Sequence, residues 1–283
     1  MLVAKPVGPT SHDVVDAVRQ ALGIGRVGHL GTLDPLAAGL LVVVVGRATR
    51  LAPFTAEWTK AYEGVIRLGT TTTTDDGGGA VVAVSDAWRA LDREAIAAVL
   101  GRLRGVSEQR PPAFSAVKVA GERAYRRARR GEFLALAPRR VEVRELELLG
   151  LELPDVRFRA TVSGGTYVRS LARDAGMALG CGAHLAALTR TAVGPFLLAD
   201  AVAPASVTWS SLREPAALVA DLPRRDLEPE ERMAVVHGRA IPASEGVGVE
   251  AAGSVALFAD GALVAVAAQT AGLLKPRVVV AAA

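Results

Sequence analysis

Cysteine is nearly absent: Cys181 is the only one in 283 residues. That excludes an intrachain disulfide and a cysteine-based zinc cluster. Aromatics reach only 4%, so valine, leucine and alanine must fill the interior. Apolar runs are short, Leu40 to Val45 being typical, and none approaches the roughly 20 residues of a membrane span. The start, Met1-Leu2-Val3-Ala4-Lys5-Pro6, lacks the basic region, apolar core and cleavage site of a signal peptide. A cytoplasmic protein is the default expectation. Lysine is scarce as well, with four against 29 arginines.

What is present is apolar mass and unevenly placed charge. Half of the residues are hydrophobic (51%), which supports a sizeable core and excludes global disorder. The net charge is +4. Residues 102–131 hold nine basic and two acidic side chains, so the rest of the chain sums to −3. A basic segment in a near-neutral protein suits a polyanion, and arginine suits phosphate and base contacts through its bidentate fork. A solvated charged helix has the same composition.

Thr10-Ser11-His12-Asp13 has capping-box spacing. Val14, Val15, Val18, Ala21 and Leu22 follow at helical spacing, and Gly23 stops the helix. A glycine-punctuated loop over 23–39 leads into a buried strand, Leu40 to Val45. Further strands are expected at Tyr62 to Leu68, Val81 to Val84, Val141 to Leu153 and Val156 to Val162. Helices are expected at Asp92 to Leu103, Gly121 to Arg130 and Tyr167 to Leu179. Thr70 to Gly79 reads as a loop, and 105–118, with Pro111-Pro112, as irregular. Arg123, Arg126, Arg127 and Arg130 share one helical face. The irregular alternation of strands and helices predicts an α+β fold with a mostly antiparallel mixed sheet. A boundary falls near residue 220. Short runs follow at Val247 to Val249, Val255 to Phe258, Leu263 to Ala268 and Val278 to Val280, as in a small β-barrel.

Asp34 is the focus for chemistry, in Gly31-Thr32-Leu33-Asp34-Pro35-Leu36-Ala37-Ala38-Gly39. The glycines permit tight backbone paths, and Pro35 biases Asp34 away from helix. An aspartate is ionised at neutral pH and serves as a nucleophile when held rigidly. Asp-Pro is equally a common turn dipeptide. Composition and spacing leave both open. Asp75-Asp76 has no histidine or third ligand nearby, which favours a solvated or capping role over a metal site. His184 and Cys181 read as packing residues.

Ordered motifs add a resemblance over the whole chain. They are Lys5-Pro6-x-Gly8-x-Thr10-Ser11, then Gly28-His29-x-Gly31-x-Leu33-Asp34-Pro35-Leu36-Ala37-x-Gly39, then Lys60-x-Tyr62. Next come Leu68-Gly69-x-x-Thr72-x-Thr74-x-Asp76-x-x-Gly79 and Gln109-x-Pro111-Pro112-x-x-Ser115-Ala116-x-Lys118. The last are Gly165-Thr166-Tyr167-Val168-Arg169-Ser170-Leu171 and Leu179-Gly180-Cys181-Gly182-Ala183-His184-Leu185. In this order they resemble the bacterial tRNA pseudouridine-55 synthases of the TruB type.

The resemblance implies a pseudouridine synthase domain over residues 1–218, with an RNA-gripping insertion at about 105–135. Residues 219–283 would form a small PUA-like RNA-binding barrel. It implies isomerisation of a flipped-out uridine in the TΨC loop of tRNA, with no cofactor and no metal. Asp34 would attack C1′ or C6, or take the 2′ proton in a glycal route. Tyr62 would stack on the uracil and act in late proton transfer. Arg169 would pair with Asp34 and keep it charged. Tyr167 and Leu188 would line the base pocket, and His29 would occupy the space the flipped base leaves. Lys118, Arg123, Arg126, Arg127 and Arg130 would grip the RNA backbone. The implied partner is tRNA, bound by its T-arm and acceptor stem. The enzyme would act as a monomer without an obligatory protein partner or membrane. Two other readings are weighed: a guide-RNA-dependent relative, which the insertion disfavours, and a tRNA-folding chaperone without essential catalysis. A hydrolase using Asp34 lacks a second carboxylate at a partner position.

Overall fold

A computed structural model describes residues 1–115, 117–119, 121–132, 136–243 and 253–281; the side chains of residues 118, 119, 123 and 129 lie outside it. The chain opens with strand β1 (Leu2–Lys5) and helix α1 (Ser11–Leu22). Thr10 Oγ1 accepts from the Asp13 N–H, and Asp13 Oδ2 accepts from the Thr10 N–H. Gly23, at φ 64°, ends the helix in the left-handed region. Such a box at the start and glycine at the end are what the spacing predicted.

The expected loop over 23–39 contains a short strand, β2 (Val27–His29), and β3 (Ala37–Val45) begins three residues before Leu40. β4 (Lys60–Leu68) is followed by β5 (Thr70–Thr72), which pairs with β6 (Val81–Val84). Thr70 to Gly79 is therefore half a hairpin and not loop throughout. Helix α2 (Arg93–Arg102) starts on the Asp92 cap. The proline-rich stretch expected to be irregular holds an edge strand, β7 (Gly105–Gln109). A small hairpin, β8 (Lys118–Val119) and β9 (Glu122–Arg123), precedes helix α3 (Ala124–Arg129). That helix is shorter than the expected 121–130. β10 (Arg139–Glu152), β11 (Asp155–Val162) and helix α4 (Val168–Ala178) lie where the sequence pattern places them. β12 (Ala183–Val193) and β13 (Phe196–Leu197) complete this part.

The main sheet has the order β1-β3-β12-β4-β11-β10-β7, with β2 on β3 and β13 on β12. β12 runs parallel to β3 and antiparallel to β4, and every other pair is antiparallel. The mostly antiparallel mixed sheet flanked by helices is the expected one. β12, at its centre, escapes the sequence pattern: Ala183-His184-Leu185-Ala186-Ala187-Leu188 is alanine- and leucine-rich and does not alternate, and its strand form comes from pairing with β3 and β4 on either side.

The C-terminal part consists of β14 (Arg224–Asp226), α5 (Pro229–Val236), β15 (Ile241–Pro242), β16 (Ser254–Ala259), β17 (Ala262–Thr270) and β18 (Leu273–Val279). Its five-stranded sheet has the order β14-β16-β17-β18-β15. The strand expected at Val247 to Val249 lies outside the described residues. Leu40, Val42 and Val44 of β3 share one buried cluster with Phe258, Leu263, Val266 and Val278. The small β-rich part is thus seated on the large sheet through a common apolar core. No helix among the described residues is long and apolar enough to cross a membrane.

Candidate active site

Three contacts fix the loop that carries Asp34. First, the Ala37 N–H donates to the Asp34 carbonyl (3.0 Å), closing a turn with Pro35 at its second position. Second, the buried Ser11 hydroxyl accepts from the Leu33 N–H (2.8 Å) and donates to the Leu33 carbonyl (2.9 Å). Third, Arg190, 1% exposed, donates to the carbonyls of Leu40 (2.8 Å), Gly31 (3.0 Å) and Thr32 (3.4 Å). Gly39 lets the backbone of β12 at Arg190 come this close to β3. Its φ is +109°, and a Cβ there would stand 2.3 Å from the Arg190 carbonyl oxygen. The backbone is pinned on three sides while the Asp34 side chain stays 38% exposed. Asp34 is thus a turn residue by backbone and an accessible carboxylate by side chain.

Arg169, second residue of α4, faces that carboxylate and is only 6% exposed. Its Nη2 donates to Asp34 Oδ1 at 3.2 Å. Its Nε lies 2.8 Å from Asp34 Oδ2 and 3.5 Å from Asp76 Oδ2, aligned for a hydrogen bond with neither. Nη1 donates to the Thr74 carbonyl and Nη2 also to the Phe114 carbonyl, both at 2.9 Å. The guanidinium therefore ties together the Asp34 loop, the β5–β6 hairpin and the basic segment at Phe114. Asp76 is buried and orders its own loop: Oδ1 accepts from Thr74 Oγ1 (2.6 Å) and from the Gly78 N–H (3.0 Å). Of the two expected roles the solvated one is corrected, because Asp76 is buried and faces Arg169, while its bond from the Gly78 N–H is a local cap. Asp75 pairs with Arg173 at 2.9 Å, and burial raises its carboxyl pKa against that cation. No cluster of metal-holding side chains occurs among the described residues.

Tyr62 and Leu188, 6% and 8% exposed, share a buried cluster with Leu33 and Ala37, which flank the Asp34 turn. Tyr167 caps α4, and its backbone N–H and carbonyl are both bound by the Gln109 amide (2.8 and 3.1 Å). His29 ends β2 half-buried, with Nδ1 buried and unpartnered. Burial first, then Arg190 and His12, lowers its pKa, which favours the neutral ring.

The basic segment departs from the expected arginine face. Arg130 lies past the end of α3 and its guanidinium is held by Glu122 (2.7 Å) and Glu132 (2.8 Å). Arg127 also pairs with Glu132 (2.7 Å). Arg126 is exposed and has no ion pair among the described residues. Arg123 stands in β9, before the helix, and its side chain and that of Lys118 lie outside the described residues.

The model of the TruB family pseudouridylate synthase N-terminal domain matches residues 19–168, and the tRNA pseudouridylate synthase B C-terminal domain matches 169–233. The chain belongs to the TruB family. A tRNA pseudouridine synthase B of Thermobifida fusca (strain YX) is 46% identical, covering 99% of this chain and 98% of that protein. One of Mycobacterium sp. (strain KMS) is 44% identical over 92% of each. Among solved structures, a Cbf5-Nop10-Gar1 complex aligns with 99% of this chain and 84% of its own, at 27% identity and a TM-score of 0.73. An H/ACA RNP bound to a substrate RNA has the same TM-score at 24% identity, covering 99% of this chain and 85% of that one; at that identity the likeness concerns the fold alone.

Within this TruB chain, several residues that shape the site were not read from sequence as site residues. Ser11 reads as part of a cap and of the opening motif, and its grip on Leu33 crosses 22 residues. Gln109 and Asp76 fall inside matched motifs, which is the signal that singles them out. Arg190 lies beyond those motifs in the strand that the pattern missed.

Proposed function

We propose that the protein converts uridine to pseudouridine at position 55 in the T loop of tRNA, with Asp34 as its catalytic carboxylate. One observation carries this: a rigidly turned aspartate, partly open to solvent, is gripped by a buried arginine that itself touches two other loops. A preorganised carboxylate of this kind supplies nucleophilic or proton-accepting chemistry without reorganising during the reaction. The curated relatives named tRNA pseudouridine synthase B supply the substrate class.

In this mechanism the target nucleotide leaves its stack, at a cost of a few kcal/mol. Tyr62 stacks on the uracil and serves late proton transfer, while Tyr167 and Leu188 line the pocket. His29, half-buried, fills the space vacated by the base. Arg169 pairs with Asp34 and holds it in place. Attack at C1′, attack at C6 and abstraction of the 2′ proton are each within the repertoire of such a carboxylate. Residues 1–218 act as the catalytic domain, with the insertion at about 105–135 gripping RNA through Lys118, Arg123, Arg126, Arg127 and Arg130. Residues 219–283 touch the tRNA by shape, because their eight acidic and six basic residues give no net positive charge. The chain works as a monomer in the cytoplasm. The matched insertion and the bacterial relatives favour a stand-alone enzyme over assemblies such as the Cbf5-Nop10-Gar1 complex.

The test uses pure protein, an unmodified tRNA transcript and a transcript with cytidine at position 55. Pseudouridine at position 55 of the first, and none elsewhere in the second, is expected. No pseudouridine in the T loop overturns the proposal.

A further inference from the structure

Lys60 opens β4, two residues before Tyr62, so the two side chains leave the same face of the strand about 7 Å apart. Arg190 pairs in register with Tyr62 and lies on that face too. Both cations meet under Gly31. A Cβ at Gly31 would stand 3.4 Å from Lys60 Cε and 3.5 Å from Arg190 Nη1.

The charges here do not balance. Among the described residues neither Lys60, Arg190 nor Lys5 has a carboxylate within ion-pair distance. Asp34 and Asp76, the carboxylates closest to Arg169, are both turned to it. Lys60 spends one of its three donors on the Trp58 carbonyl (2.9 Å). Burial, chiefly, and Arg190 lower its pKa to about 8. Glu57 pulls the other way but lies beyond ion-pair distance. A partly desolvated ammonium without an anion in contact is costly, and the chain holds it there all the same. The N–H groups of Gly31 and Thr32 donate to no described group, although Gly31 is half-buried. His29 Nδ1, on the same loop, is buried and unpartnered.

We propose that Lys60, with the Gly31 and Thr32 N–H groups, seats a phosphodiester of the substrate strand beside the flipped uridine. This rests on the proposed function above, which puts that uridine on Tyr62. A phosphodiester supplies the missing negative charge and several acceptor oxygens. One pleat of strand from the stacking ring to the ammonium matches the span from a base to its own backbone. Arg190 stays behind the loop, holding its carbonyls, and adds field without touching the phosphate.

The test measures affinity for a T-arm hairpin RNA over a range of salt, in the Asp34→Asn background so that no turnover intervenes. Lys60→Met should lower the slope of log affinity against log salt by about 0.7 to 0.9, and Lys60→Arg should retain it. Lys60→Met should not lower the melting temperature, since it removes a partly desolvated charge that has no carboxylate in contact; Lys60→Gln repeats the test should Met fold poorly. A second arm places one uncharged methylphosphonate at each linkage flanking the target uridine. At one linkage the wild-type side chain should lose affinity and Lys60→Met should lose no more. An unchanged slope, or equal methylphosphonate losses with and without Lys60, overturns the assignment. If the wild-type protein forms no pseudouridine in this hairpin, the proposed function falls first. Pseudouridine with an unchanged Lys60→Met slope removes only the phosphate seat.

Discussion

Ser11→Ala should damage the chemistry without touching RNA or Asp34. The hydroxyl is buried and holds both the N–H and the carbonyl of Leu33, next to Asp34. Each net hydrogen bond is worth about 1 kcal/mol, and a buried N–H left unpaired costs a further 1–3 kcal/mol or so. The Asp34 loop still has Arg190 and the Pro35 turn, so partial relaxation brings the total to about 2–3 kcal/mol. For a chain of this size that is roughly 5–10 °C in melting temperature. The larger effect is on rate. Displacing a reacting group by up to about 1 Å costs up to about a hundredfold, and Asp34 lies one residue from the lost anchor. The control is Thr10→Ala, which removes the helix cap and costs about 1 kcal/mol but leaves the Ser11–Leu33 pair intact. Single-turnover pseudouridine formation at saturating enzyme, below the melting point of both variants, isolates the chemical step. Ser11→Ala should be tenfold or more slower than Thr10→Ala, with similar tRNA affinity. Equal rates for the two variants refute the idea that Ser11 positions the loop.

Asp76→Asn should keep the Thr74 and Gly78 contacts through the amide oxygen yet remove one of the two charges facing Arg169; the expected loss is about tenfold in rate, or ~1.4 kcal/mol, with tRNA affinity nearly unchanged in a filter-binding assay. Arg126→Gln should flatten the salt dependence of tRNA binding by about one unit of slope, because Arg126 is exposed and unpaired among the described residues. Glu122→Gln with Glu132→Gln should steepen the same dependence, because it frees Arg130 and Arg127 from their ion pairs. Lys60→Met should weaken binding without lowering the melting temperature, as set out above.

Much of this was legible in the sequence where a local rule governs. The Thr10 box and Gly23 stop are written within a dozen residues, and α1 follows them. β4 and β11 show their character in branched and alternating residues. β12 does not, since its composition is that of a helix and its strand form is imposed by β3 and β4 on either side. β7, too, depends on a distant partner, β10. In the site, Asp34 and Arg169 were visible as motif residues and meet across 135 positions. The arginine spacing at 123–130 suggested one helical face. Glu122 and Glu132, just outside it, redirect two of those arginines, and spacing alone does not reveal such pairing. Arg190 shows how a buried cation escapes sequence reading: its partners are carbonyl oxygens, which every residue has.

The most direct test concerns the Asp34 carboxylate itself. Asp34→Asn keeps size and turn geometry and removes the charge that Arg169 grips. With saturating protein and an unmodified tRNA transcript, single-turnover formation of pseudouridine at position 55 should vanish while the tRNA stays bound. Formation within about tenfold of the wild-type rate, equivalent to ~1.4 kcal/mol of barrier, would contradict a catalytic role for Asp34.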